Sequence, residues 1–195
     1  LFNLNPKDSY GVLEIGMDKK GEIDFLSKIV KPDVSVITNI SYAHIKNFKS
    51  IRQIALAKAE IINNTKDNGF VILNADDNFF NMHKKIAIKR NLKILSFGIK
   101  NKNSNIKLIN IKKEAKKYKA TIEVNKIKTH FLLKNDFQNN ILNILSTLTV
   151  MSIYLDISKI DKNIFYNFKI PDGRGDISKI RVKNKLLNLI DASYN

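Results

Sequence analysis

The chain has 195 residues, 44% hydrophobic and 27% charged, with no cysteine, which excludes a disordered chain, a collagen-like repeat, a disulfide-stapled miniprotein and any thiolate site. Its formal net charge of +16 raises the question of an anionic partner, yet only four of the 34 basic residues are arginine: Arg52, Arg90, Arg174 and Arg181. Phosphate and base recognition favours the bidentate guanidinium, so most of this charge reads as lysine on solvent-facing surface.

Taken in chain order, the apolar pattern alternates between two periods. YGVLEI (10–15), VSVIT (34–38), FVIL (70–73) and KILSF (93–97) read as buried strands, with helices predicted over 22–30, 51–63 and 79–90. Strand followed by helix, repeated, implies a doubly wound, mostly parallel α/β sheet. Residues 104–133 change period: NIKLINIKK, YKATIEV and KIKTHFLL alternate apolar with polar residues, and Asn125-Lys126 suits a hairpin turn, so a small antiparallel insertion is expected. NNILNILSTLTVMSIYL then predicts a buried helix over about 138–155, with a shorter helix near 158–168. PDGRGD (171–176) is a glycine-rich loop at a plausible boundary, and one more strand is expected in KNKLLNLIDASYN.

In an open α/β sheet, ligands bind beyond the carboxyl ends of the strands, and candidate residues cluster at those places. Glu14 ends the first predicted strand inside an apolar run, where its carboxylate would be resolved by a metal, by a basic partner, or by leaning into water. Thr38 and Asn39 end the second, and His44 follows in the loop NISYAH, a place for a metal ligand, an acid/base group or a merely solvated ring. On a helical wheel at about 100° per residue, with Ile51 at zero, Ile54 falls near −60°, Ala55 near 40° and Ile62 near 20°. Lys58, near −20°, is centred on that apolar stripe, whereas Glu60, near 180°, faces solvent. A lysine so placed either snorkels past the edge or is aimed at an anion, a metal site or a modification. Asp76 and Asp77 of NADD read as caps of the next helix, with a nucleotide contact as the alternative. Asn140 and Asn143 share a face at the start of the long helix, able to present amides to a base or to cap the helix, and Arg174 offers a planar fork in PDGRGD. His83 and His130 show nothing unusual. No G-x-x-x-x-G-K-[ST] and no G-x-G-x-x-G occurs.

Together and in order, EIGMDKKGEI (14–23), PDVSVITNISYAHIKNFKSIRQIALAKAEI (32–61), GFVILNADD, the NNILN helix start, PDGRGD and IDASYN resemble the ATP-dependent Mur ligases of peptidoglycan synthesis. The E-x-G-x-x-x-x-G-E-I segment is similar to that of the branch adding D-alanyl-D-alanine to UDP-N-acetylmuramoyl-tripeptide, and those two molecules are the partners this resemblance implies. It also implies a P-loop NTPase-like central domain, ATP and Mg2+ as cofactors, and amide ligation through an acyl phosphate. Glu14 and His44 match magnesium-binding positions, and Lys58 matches a helix lysine that several members carry as a carbamate near a second magnesium, giving a catalytic set of Lys58, His44 and Glu14. Asn140 matches an adenine contact with Asn143 beside it, Arg174 and Asp191 match positions near the phosphates and ribose, and Thr38 and Asn39 match the substrate side.

By the same resemblance, residues 1–180 are expected to be the central ATP-binding domain without its phosphate loop, which would lie upstream of Leu1. Residues 181–195 would be the first strand of the C-terminal ligase domain, and such a fragment is expected to be inactive alone. The chain does not start with methionine, which fits a piece of a longer protein. No apolar run approaches the ~20 residues of a membrane span. LFNLNPKDSYG lacks the basic and apolar regions of a signal peptide, so a cytoplasmic monomer without membrane insertion is expected. Two alternatives remain: a folylpolyglutamate-synthase-like or other Mur-type ligase, and a basic α/β module that binds nucleic acid without catalysis. Few arginines and no tryptophan count against the second.

Overall fold

The computed structural model describes residues 5, 7–42, 47–168 and 176–191, the side chains of residues 176, 177, 190 and 191 excepted. Its elements in order are α1 (Glu22–Val30), β1 (Val34–Ile37), α2 (Ile51–Lys58), α3 (Glu60–Asn63), β2 (Phe70–Asn74), α4 (Phe80–Lys89) and β3 (Lys93–Gly98). There follow β4 (Ile106–Glu114), β5 (Lys117–Val124), β6 (Ile127–Leu133), α5 (Gln138–Tyr154), a 3-10 turn (Ile157–Lys159), α6 (Ile164–Asn167), β7 (Asp176–Val182) and β8 (Lys185–Asp191). Six strands form one sheet in the order β1-β2-β3-β4-β5-β6, parallel from β1 to β4 and antiparallel from β4 to β6. This is the expected mostly parallel α/β sheet with its antiparallel extension. Asn125 and Lys126 both take positive φ, 48° and 72°, which gives the β5–β6 hairpin the left-handed two-residue turn that matches strand twist.

Strand alternation divides the core between two faces. Ile72 of β2 and Phe97 of β3 turn toward Ile141, Leu145 and Leu148 of α5. Val71 and Leu73 turn the other way, onto Ala59, Ile62 and Ala87 of the α3–α4 side. Every residue in β2 from Val71 to Leu73 is at most 1% exposed, which is why FVIL reads as a continuous apolar run rather than an alternation. A third cluster joins α1 to α2 through Met17, Ile23, Phe48, Ile54 and Ala57.

Three expectations are corrected. Residues 10–15 form no strand: among the described residues β1 is the edge of the sheet with no strand paired beyond it, and Val12 is 96% exposed. The 51–63 helix is two helices meeting at Ala59. The 158–168 helix is a 3-10 turn and a single short helix, separated by Ile160–Asn163, where Asp161 accepts from its own downstream Asn163 amide and favours a turn. The last strands, β7 and β8, make a separate hairpin turning at Lys183 and Asn184, both at positive φ. The 180/181 division expected from the sequence falls inside β7.

The β3–β4 pairing is parallel only over Phe97↔Ile106 and Gly98↔Lys107, and its connection, residues 99–105, has no helix. Asp76 organises it. Its carboxylate accepts from the backbone amides of Ile99 (2.6 Å), Lys100 (3.1 Å) and Asn101 (2.7 Å). A Cβ on Gly98 would lie 2.9 Å from Asp76 Oδ1, so glycine there lets the carboxylate sit this close to the strand end.

Candidate active site

The parallel strands direct their carboxyl ends to one edge, and four elements converge there: the exits of β1 and β2, the end of α2 and the start of α4. Asn74 ends β2 by donating its side-chain amide to the carbonyl of Thr38 (3.0 Å), and its Oδ1 accepts from the Asp76 amide. Asp77 bonds in both directions, with Oδ2 accepting from the Ile40 amide (2.8 Å) and Oδ1 from the Phe79 amide (2.8 Å). The two aspartates of NADD therefore tie loops together; neither caps α4, whose N-cap is Phe79 without a side-chain cap bond. A helix-cap aspartate must bond the first turn; the Asp76 carboxylate is occupied by the 99–101 amides, and Asp77 reaches only the Phe79 amide just before α4 while its other oxygen takes the Ile40 amide.

Lys58 is half-buried, on the helix stripe whose apolar members Ile54, Ala55 and Ile62 are fully buried. Its Nζ reaches across to the exit of β1 and donates to the carbonyl of Asn39 (3.0 Å). Burial pulls its pKa below the ordinary lysine value of 10.5, and the nearby Asp77 carboxylate pulls the other way. His83, 2% exposed, lies under the same site with Nε2 3.0 Å from the Ala55 carbonyl. A carbonyl only accepts, so Nε2 carries the proton. Burial lowers the pKa of His83, Lys58 lowers it further, and the Ala55 bond and Asp77 oppose both. Lys58, Asp77 and His83 therefore form one electrostatic group.

Glu60 is corrected: it does not face solvent. Its carboxylate accepts from the amides of Gly21 (3.0 Å) and Asp24 (3.1 Å), capping α1 from another helix. The wheel placed Glu60 opposite the core stripe correctly, but α1 packs on that side.

Of the residues expected in the site, the structure brings together Lys58, Asn39 and Thr38. Glu14 is exposed; it precedes Ile15, which packs with Met17 beside Ile54 and Ala57, so its segment runs alongside α2. Asn140 donates to Asn135 Oδ1 (3.0 Å) at the start of α5, and Asn143 is exposed, its carbonyl accepting from Thr147. That helix covers the sheet face opposite α3 and α4. His44 and Arg174 lie outside the described residues, as does the side chain of Asp191, whose backbone ends β8.

Among the described residues no group of three or more His, Asp or Glu side chains stands ready to hold a metal ion. As an ammonium, Lys58 donates to Asn39 and repels a cation. The described donor set therefore does not fit magnesium while this amine is unmodified. Reasoning from sequence missed His83 and the loop-tying role of Asp77. The signal for His83 was present: it stands four residues before Ala87, which is fully buried, on the same face of α4.

A strand-end lysine site on a mostly parallel α/β sheet agrees with the family relationship of the sequence. The family model described as the Mur ligase middle domain matches residues 1–151, and the chain belongs to this family. The UDP-N-acetylmuramoyl-tripeptide–D-alanyl-D-alanine ligase of Buchnera aphidicola subsp. Baizongia pistaciae is 33% identical, across 100% of this chain and 41% of the relative. MurF from Acinetobacter baumannii superposes with a TM-score of 0.85 at 24% identity, over 100% of this chain and 41% of that one. MurF ligase from Thermotoga maritima, solved in complex with ADP, gives a TM-score of 0.77 at 24% identity, over 96% of this chain and 43% of that one. The chain thus spans about two fifths of the length of these relatives. Among the described residues no helix is long and apolar enough to cross a membrane.

Proposed function

We propose that this chain is the ATP-binding central part of a ligase that joins D-alanyl-D-alanine to UDP-N-acetylmuramoyl-tripeptide. The observation that carries the reading is Lys58, held half-buried at the carboxyl edge of the sheet by Asn39 and Asp77's field, in a segment similar to the family's lysine helix. The identity of the relatives supports the substrate pair, and the ADP complex of the Thermotoga protein supports ATP as the phosphoryl donor.

In the proposed reaction the terminal carboxylate of the tripeptide attacks the γ-phosphorus of ATP, releasing ADP. The amine of D-alanyl-D-alanine then attacks the acyl phosphate, forming the amide and expelling inorganic phosphate. Catalysis of this kind is mostly positioning and charge stabilisation. Thr38 and Asn39, at the exit of β1, line the substrate side, and Lys58 fixes that exit through the Asn39 carbonyl. Carbamylation of Lys58 would replace a cation with an anion at the same place; its carbamate oxygens and the Glu14 carboxylate would be the hard donors magnesium prefers, with His44 proposed beside them. Asn140, Asn143, Arg174 and Asp191 are proposed for the nucleotide. The protein is proposed to act as a cytoplasmic monomer with no nucleic-acid partner.

The test is ADP release by the gene product that contains these residues, with each substrate and magnesium omitted in turn. The reading expects release only with all present, and a large loss of turnover in Lys58→Ala and Glu14→Gln. Normal turnover in either variant removes that residue from the site. ADP release without D-alanyl-D-alanine dependence removes the substrate assignment.

A further inference from the structure

We propose that His83 is the positioning residue for Lys58: from α4 it fixes the last turn of α2, and so delivers the lysine amine to the exit of β1. The carbonyl of Ala55 accepts two hydrogen bonds, one from the Ala59 amide (3.0 Å) along the helix and one from His83 Nε2 (3.0 Å) across from α4. The helix bond is kept, so the second bond from His83 adds a tie between the last turn of α2 and α4. The break between α2 and α3 falls at Ala59, four residues after that carbonyl and one after Lys58. Lys58 is thus the final residue of α2 and points past the break to the Asn39 carbonyl.

The side chains around the ring leave it little choice of position. His83 is 2% exposed, Ala55 is fully buried, and Ala87, on the same face of α4, is fully buried too. The buried ring, donating from Nε2, therefore links α4 to the Ala55 carbonyl of α2. Asp77, whose charge acts on both His83 and Lys58, is itself held by the Ile40 and Phe79 amides. Both groups around Lys58 are anchored on the backbone rather than on mobile side chains. The positioning claim stands on this geometry alone; its consequence for turnover rests on the ligase reading.

Three variants test it. His83→Leu deletes the donor at similar volume, His83→Met repeats the deletion with a more adaptable side chain, and His83→Gln keeps an N–H near the Nε2 position. A short pulse of acetic anhydride, followed by peptide mass spectrometry, reads the accessibility of the Lys58 amine against the exposed Lys89 of α4 as internal reference. Loss of one buried hydrogen bond predicts about fivefold faster acetylation of Lys58 in His83→Leu and His83→Met, and a rate within about twofold of the parent in His83→Gln. In the ligation assay kcat should fall about fivefold in the first two, with KM for ATP unchanged, and recover in His83→Gln. Unchanged acetylation in both deletions overturns the proposal, and so does a glutamine variant that behaves like them. If the acetylation pattern holds but the parent shows no ligation, the ligase reading fails and the positioning role stands.

Discussion

Replacing Asp76 by alanine tests how the strand ends beneath the site are held. The carboxylate receives three backbone amides, those of Ile99, Lys100 and Asn101, at 2.6, 3.1 and 2.7 Å. The Lys100 amide belongs to an exposed residue and finds water when the carboxylate goes, so it contributes little. Ile99 and Asn101 are half-buried, and a hydrogen bond to a charged acceptor is worth about 1.5–3 kcal/mol, so the two together give an upper figure near 6 kcal/mol. Partial access of water to the emptied space brings the expected loss to about 3 kcal/mol. With a urea slope of about 2 kcal/mol per molar, the midpoint should fall by about 1.5 M. Urea unfolding followed by circular dichroism measures it, and hydrogen exchange should show the greatest loss of protection at residues 99–101. A midpoint within about 0.3 M of the parent would refute the reasoning and return Asp76 to the nucleotide contact that NADD also allowed.

Three further predictions follow from single contacts. A Cβ on Gly69 would lie 2.7 Å from the Lys66 carbonyl and 2.8 Å from that of Asp33, both backbone, so Gly69→Ala should cost about 2 kcal/mol or more in the same unfolding assay. Glu60→Ala removes the acceptor for the Gly21 and Asp24 amides and should cost about 1 kcal/mol, with amide exchange accelerating at the start of α1 and not in α4. His83 has its pKa depressed below 6.5 in the folded chain, so the unfolded chain takes up its proton first as pH falls. Stability should therefore be complete above pH 6.5 and decline below it, and His83→Gln should flatten that decline; a parallel pH profile in the variant would contradict the assignment.

Much of the fold was legible because burial leaves a periodic trace. FVIL and KILSF are apolar because β2 and β3 have helices on both faces, and the period-two runs of residues 104–133 became β4, β5 and β6 with the turn at Asn125-Lys126. Lys58 was legible for the same reason, as a charge on an apolar stripe. YGVLEI misled because apolar composition alone does not supply a neighbouring strand, and Val12 is exposed. The break at Ala59 was hidden because IRQIALAKAEII holds neither proline nor glycine, and no local signal in it announces an interruption. Glu60, Asp76 and Asp77 escaped for a related reason. Each carboxylate bonds backbone amides that are distant in sequence or on the far side of a turn, and a one-dimensional pattern carries no information about which amides arrive there.

The central claim is amide ligation through an acyl phosphate, and oxygen tracing tests it most directly. Tripeptide substrate labelled with 18O in its terminal carboxylate is incubated with ATP, magnesium, D-alanyl-D-alanine and the gene product containing this chain, and the released phosphate is analysed by mass spectrometry. The account predicts one 18O atom in inorganic phosphate for each amide formed, because the carboxylate oxygen that attacks the γ-phosphorus leaves with it. Product formed without 18O in the phosphate, or ADP released with no amide product, would contradict it.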